Sequence, residues 1–449
     1  MKSHFLHATL LSAAAIVAAC FPIIGRAQWH ADSIHNTPVC TAPGQQDMPK
    51  GCTDGADGAI ITWEDQRNST YQVYAQHLDA TGKATWAANG VKLTTVATAS
   101  NPQTMPVITT DDSGGAYVVW LDGRFSSAFG TCLFAQHIRA NGTLAYADTA
   151  WPVAIGLNGC GNPTLTDDGR GGAYVAWEDN RALETATHPD IWMNRLWPGA
   201  VKFGLTTTGT KGIVKTVDNF YFGHHHYSTF FYDTTTVFPS YIGSLHLNIV
   251  GKGTYLISKV SGDTLTLQSP PAAGTYAYSV PGLTGLPVDT FQNKQTGPSI
   301  TSDGSGGCYL AWENAGAIPN GIFATRIDST GTALWDPAPG PGFQIYKSQN
   351  TANPSKNVWI NRDGDQLLLT WEVTNSENSS QEVYAQRMRN SSLYDTELVW
   401  SSTAIDVSSN EILDQTNPRI YGDDSTVLGA RGILVPFLDQ QPGSSDDLD

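Results

Sequence analysis

Residues 111–124 read DDSGGAYVVWLDGR, and residues 167–181 repeat the phrase almost unchanged as DDGRGGAYVAWEDNR. Looser copies are DGADGAIITWEDQR at 54–67 and SDGSGGCYLAWEN at 302–314. In each copy an Asp/Gly cluster precedes a run of aromatic and β-branched residues. Gly accepts positive φ and Asp bonds its own backbone two residues on, so the cluster predicts a tight turn. The run that follows predicts a strand. Trp63, Trp120 and Trp177 lie 57 residues apart, and Trp312 and Trp371 lie 59 apart. A weaker sixth copy, GARGILVPFLD at 429–439, puts Phe437 in the Trp place.

A period of this length matches a propeller blade, one four-stranded sheet that must pack radially on its neighbours to bury both faces. The second copy gives the strands in order: MPVITTD (105–111) is a, GAYVVWLD (115–122) is b, CLFAQHIR (132–139) is c and WPVAIG (151–156) is d. Before the first strand a stands an orphan strand d. The chain ends on NPRIYGD (417–423) and GILVPFLD (432–439), which read as strands a and b. The fold class is therefore all-β: a six-bladed β-propeller closed by N- and C-terminal strands, with a small inserted β module. Closure of the ring removes open sheet edges. The tail QQPGSSDDLD (440–449) reads as too polar for a further strand.

The insertion shows as a failure of the period. Trp177 and Trp312 are 135 residues apart, too far for one blade. Strand c of the third copy is present as DIWMNRL (190–196), and the pattern resumes at LPVDTFQNKQTGPSITSDG (286–304). The expected division is a signal peptide at 1–27, propeller at 28–198, the inserted β module at 199–284 and propeller again at 285–449.

The first 27 residues carry Lys2, an apolar stretch and small residues at Gly25 and Ala27, the anatomy of a secretory signal. Val17-Ala18-Ala19-Cys20 also reads as a lipobox, so anchoring as a lipoprotein at Cys20 is the rival. Either route gives a secreted, extracellular or cell-surface protein. No other apolar run is long enough to span a membrane. Across 449 residues, 40% are hydrophobic, 15% are charged and the net charge is −16. That balance argues against nucleic acid and anionic membrane as partners and leaves an extracellular glycan or protein.

The run P-x-I-T-x-D-x-x-G-G-A-Y-V-x-W-x-D-x-R, followed by Y-A-Q-x-x-D-x-x-G-x-x-x-W, resembles the repeat of secreted bacterial β-propeller proteins. These are distant relatives of the sialidase-type (BNR-like) propellers. The likeness covers 36–196 and 286–439. The sialidase S-x-D-x-G-x-T-W box is not present: Asp79 and Gly82 are three apart where that motif needs two.

Antiparallel topology puts the b–c and d–a loops on one face, where propellers hold ligands. The W-x-D-x-R tails end strand b there, so candidate binding residues at the channel mouth are Glu64, Asp65, Arg67, Asp122, Arg124, Glu178, Asp179, Arg181, Glu313 and Glu372. Three readings of them compete. Asp and Arg pair within each loop, as recurrence in every blade suggests. Or they form a polar mouth for a sugar, peptide or cation. Or, as the sialidase resemblance implies, Arg67, Arg124 and Arg181 hold a substrate carboxylate. No nucleophile, acid or base is assigned, and no G-x-S-x-G, H-E-x-x-H or P-loop is present.

No cofactor is expected. Asp111-Asp112, Asp167-Asp168 and Asp363/Asp365 admit calcium, but turn capping is favoured because the alternating ligand spacing is missing. His224-His225-His226 in the insertion reads as an exposed aromatic loop or a contact surface rather than a metal site. Export permits disulfides, and Cys132 with Cys160 is the expected pair, since one begins strand c and the other follows strand d. The functional expectation is a binding or interaction module, leaning away from catalysis. The alternatives are an extracellular carbohydrate-active enzyme of sialidase-like type and a structural component of a surface assembly.

Overall fold

A computed structural model describes 36–196 and 286–439 apart from short loop segments, the strand at Asp447–Leu448, and within 197–285 only the backbone of six strands. Residues 1–35, with the signal segment and Cys20, lie outside the described residues, as do Arg181 and His224, His225 and His226.

Five antiparallel sheets carry the repeat, each ordered a-b-c-d. The first is Gln46–Thr53, Ala59–Asp65, Gln72–Leu78 and Val91–Lys92; the second is Gln103–Thr110, Ala116–Asp122, Cys132–Ile138 and Trp151–Ala154. The third joins Cys160–Asp167, Ala173–Asp179 and Asp190–Leu196 to Leu286–Pro287, which lies beyond the long interval and pairs Trp192 with Pro287. The fourth is Lys294–Ser302, Cys308–Ala315, Gly321–Ile327 and Phe343–Lys347. The fifth is Lys356–Asp363, Gln366–Thr374, Gln381–Asn390 and Thr396–Leu398, with Ile405–Asp406 also on its strand c. Strands between Phe203 and Ser279 form a sheet of their own. After the fifth sheet come short pairs, Gln415–Thr416 with Leu438–Asp439 and Tyr421–Gly422 with Ile433–Leu434. The tail, read from sequence as too polar, supplies Asp447–Leu448 against Leu438–Asp439. An edge strand needs backbone partners more than apolar side chains.

The sheets pack face to face in succession, as a propeller requires. Ile60, Val73 and Leu93 of the first sheet bury Val118, Trp120 and Phe134 of the second. Tyr117, Val119 and Leu133 of the second meet Val175, Trp177 and Trp192 of the third. Ile191 and Met193 meet Leu310 and Trp312, and Tyr309 and Ile322 meet Leu369 and Trp371. Trp120, Trp177, Trp312 and Trp371 therefore each fill the joint with the preceding sheet. Trp120, Trp177, Trp312 and Trp371 are fully buried. Truncating one to Ala costs about 3–5 kcal/mol by the rule for buried aromatics.

The D-x-x-G-G turns are built around one carboxylate. Asp111 Oδ1 accepts from Ser113 N and Gly115 N, both at 2.8 Å, while Oδ2 meets His137 Nε2 at 2.8 Å. A Cβ on Gly115 would run into Ile138 O of strand c, so only glycine fits there. Asp54 bonds His77 in the same way, and Asp168, Asp303 and Asp363 bond Arg195, Arg326 and Arg387. Burial pushes the Asp111 carboxyl up, but the bonds from His137, Ser113 and Gly115 outweigh it and hold its pKa at about 2 against an ordinary 3.8. A depressed folded pKa stabilises above the unfolded value, and that stability is lost as pH falls toward 2. It amounts to about 2 kcal/mol. Asp111→Asn should lose this stability at neutral pH and flatten the acid limb of a denaturation series. An acid limb unchanged in the variant would contradict the linkage.

The expected Cys132–Cys160 disulfide is corrected: both are free, as are Cys40, Cys52 and Cys308. Cys160 opens strand a of the third sheet rather than trailing strand d of the second. Cys132 packs into the joint of sheets one and two, and Cys160 into the joint of sheets two and three. The two thiols thus serve cores on opposite sides of the second sheet, although Cys160 N bonds Thr131 O at 2.7 Å.

Candidate functional site

The ends of the b strands carry two different systems, because Asp and Glu are neighbours in sequence and point to opposite faces of the sheet. The Asp side chains turn inward. Asp65 accepts from Trp63 Nε1 at 2.8 Å, from Arg67 N at 2.9 Å and from Arg67 Nε at 2.8 Å. Asp122 repeats the pattern with Trp120 Nε1 at 3.0 Å, Arg124 N at 3.0 Å and Arg124 Nε at 2.8 Å. Asp179 takes Trp177 Nε1 at 2.8 Å. Burial raises the Asp65 carboxyl, but the bonds from Arg67 and Trp63 outweigh it and hold it below the ordinary range. The guanidinium of Arg67 also lies 4.0 Å from the Tyr74 ring centre, and that of Arg124 lies 3.8 Å from Phe134. Both cations are fixed by their own loops and strands.

The Glu side chains reach across to the next sheet. The first strand of each of the five sheets has a residue of positive φ near its start, Met48, Met105, Asn162, Gly297 and Asn357, and Asn417 is another just after Gln415–Thr416. All but Asn357 precede a proline. In the five sheets the strand bulges at these points, as the register shift between Thr104 and Val107 shows. The bulge frees an N–H from the ladder, and the preceding sheet's Glu accepts it. Glu64 takes Met105 N at 2.7 Å, Glu178 takes Gly297 N at 2.8 Å, Glu313 takes Asn357 N at 2.5 Å and Glu372 takes Asn417 N at 2.8 Å. In the second sheet Leu121 stands in the Glu place, and Asn162 donates its side-chain amide to Glu178 instead, at 2.7 Å.

The series of carboxylates from sheet to sheet is not regular. At the fourth and fifth sheets Asn357 holds two of them, donating its backbone N–H to Glu313 and its side-chain Nδ2 to Glu372 at 2.8 Å. Lys356 Nζ stands 3.6 Å from the other oxygen of Glu372. Thr296 Oγ1 donates to Glu313 at 3.2 Å. The Asp–Arg hub is absent from these two sheets, where Asn314 and Val373 replace the Asp. Buried Asn314 has neither side-chain polar atom bonded within the protein, and Trp371 Nε1 has none of the Asp that its counterparts use. Local stability is given up where the carboxylates converge, a common mark of a functional site.

Burial raises the Glu313 carboxyl above its ordinary pKa, against the bonds from Asn357 and Thr296, and the Glu178 charge adds to the rise. Glu64 is raised by burial, against the Met105 bond, with Asp47 adding to the rise. Asn357, Lys356 and Asn417 were missed from sequence. The one usable signal was Asn357-Val358, where the other five copies read X-Pro. Among the described residues no group of three or more His, Cys, Asp or Glu is placed to hold a metal ion. Asp111, Asp168 and Asp363 are engaged by turn amides or by His137, Arg195 and Arg387.

No family model and no curated protein matches the sequence. Solved structures similar to it include the polysaccharide lyase Uly1, at 10% identity and TM-score 0.43, covering 90% of this chain and 76% of that one. The α-L-arabinofuranosidase Arb93A from Fusarium graminearum is similar at 11% identity and TM-score 0.31, covering 75% and 73%. The GH43_1 enzyme from Xanthomonas citri, complexed with xylotriose, is similar at 11% identity and TM-score 0.29, covering 83% and 96%. Likeness at this level assigns no residue a role. These neighbours are named as enzymes, however, and they correct the expectation of a binding module that leans away from catalysis.

Proposed function

We propose that the chain is an exported carbohydrate-active enzyme that hydrolyses glycosidic bonds of a neutral glycan at the mouth of its propeller. The observation that carries this reading is the convergence of Glu313 and Glu372 on Asn357. Glycoside hydrolysis takes a carboxylic acid to protonate the leaving oxygen and a second carboxylate to activate water or attack the sugar. Burial keeps Glu313 protonated to higher pH, which suits the acid. Glu372, beside Lys356, supplies the carboxylate. The chemistry uses these groups and water alone.

The geometry favours a neutral substrate over an anionic one. Arg67 and Arg124 are bound to Asp65 and Asp122, so neither is free to clamp a substrate carboxylate in the sialidase manner. A net charge of −16 also repels polyuronates. In the full proposal the ring has six blades and closes through strands from both termini, with 199–284 inserted at the third blade. Glu64, Glu178 and the Asp65, Asp122 and Asp179 hubs shape the mouth around the pair. The leader sends the protein out of the cytoplasm by cleavage or by anchoring at Cys20. The test is an assay of new reducing ends on neutral polysaccharides beside uronate-rich ones. Release from a neutral polymer alone supports the reading, and release from none sinks it.

A further inference from the structure

Two residues beyond each of the six positive-φ positions stand Lys50, Val107, Thr164, Ser299, Trp359 and Arg419. Five are aliphatic, hydroxylic or cationic, and the fifth sheet alone places an aromatic ring there. Trp359 is 38% exposed, whereas the repeat tryptophans are buried. Its neighbour at the equivalent position, Arg419, sets its guanidinium 4.3 Å from the ring centre. Arg419 is itself tied down, through its backbone N–H to Pro436 O at 3.0 Å and through Nη1 to Pro418 O at 2.8 Å. A fixed cation against an indole orients the ring. Trp359 also lies two residues along the same strand from Asn357, which holds the carboxylate pair. An exposed, oriented indole beside polar groups matches the apolar face of a sugar ring, whose C–H groups stack while its hydroxyls reach polar neighbours. Lys356, 47% exposed at its side chain, is such a neighbour.

We propose that Trp359 is the stacking platform for one sugar ring of the neutral glycan and seats the chain against Glu313 and Glu372. The inference rests on the hydrolytic reading of that pair. If Trp359 binds the sugar in ground and transition state alike, its loss raises KM and spares kcat. Trp359→Ala should raise KM by about ten-fold or more, with kcat and melting temperature near wild type, and Trp359→Phe should recover most of the affinity. Calorimetric titration of Glu313→Gln with an oligosaccharide of the same polymer should show the same ranking when the Trp359 changes are added. Turnover by wild type with an unchanged KM in Trp359→Ala overturns the platform and leaves the hydrolase standing. Binding without turnover, lost in Trp359→Ala, supports the platform and overturns the hydrolase. Neither binding nor turnover of any neutral glycan overturns both. If Trp359→Ala does not fold, Trp359→Phe and Trp359→Leu decide: a KM equal in both overturns the platform, and a higher KM in the Leu variant supports it.

Discussion

Glu313→Gln is expected to lower hydrolysis of the neutral glycan by about a thousand-fold, within the range for removal of a positioned general acid. The Gln side chain keeps the shape and still accepts the Asn357 N–H, but it has no proton to give the leaving oxygen. The loss should shrink on aryl glycosides whose leaving group departs unprotonated. The pH dependence has a definite sign. Burial raises the Glu313 pKa, so wild-type activity falls as pH rises through that value, and this limb should be missing from the residual activity of the variant. A folded pKa raised above the unfolded one also means that the protonated carboxyl stabilises the fold at low pH and that this contribution is lost as pH rises. A neutral isostere should therefore hold the melting temperature at neutral pH. If Glu313 served only to tie the fourth sheet to the fifth as a charged acceptor, the variant would melt earlier and turn over normally.

Asp122→Ala is expected to destabilise the protein by about 3–5 kcal/mol, the usual cost of breaking a buried ion pair from one side. Asp122 is 1% exposed and gathers Trp120 Nε1, Arg124 and Gln103 Nε2. Its removal takes the carboxylate from the Arg124 guanidinium and from the Trp120 indole N–H at the joint between the first two sheets. Against a total stability of about 5–15 kcal/mol, this is a large share. Denaturant titration should show a lower midpoint with an unchanged slope. A double-mutant cycle with Arg124→Ala should return a coupling well above the surface-pair value of about 1 kcal/mol. A shift below that value would show that the hub does not hold the fold.

These two residues illustrate what the sequence makes legible. The four-stranded sheets follow from the spacing of tryptophans and turns, because a strand-turn-strand unit is local and writes its own pattern. The pairing of Asp122 with Arg124 follows in the same way, since the partners are two residues apart. The reach of Glu313 to Asn357 is not local. It depends on a bulge in another sheet, 44 residues away, and sequence marks that bulge only by a proline that this copy lacks. The Cys132–Cys160 expectation failed for a related reason: spacing brought the strand ends together but did not say which face of the sheet each thiol serves. Asymmetry proved more informative than recurrence. The strongest repeat, the Asp–Arg hub, holds the architecture of the first two sheets, and the carboxylates converge where that hub is lost.

The most direct measurement is digestion of the preferred neutral glycan in water enriched in heavy oxygen, followed by mass spectrometry of the products. Hydrolysis by Glu313 and Glu372 predicts saturated products carrying one heavy oxygen from solvent at each cut bond, and none formed by Glu313→Gln above its residual rate. Unsaturated products without solvent oxygen, or no cleavage of any neutral glycan, would contradict it.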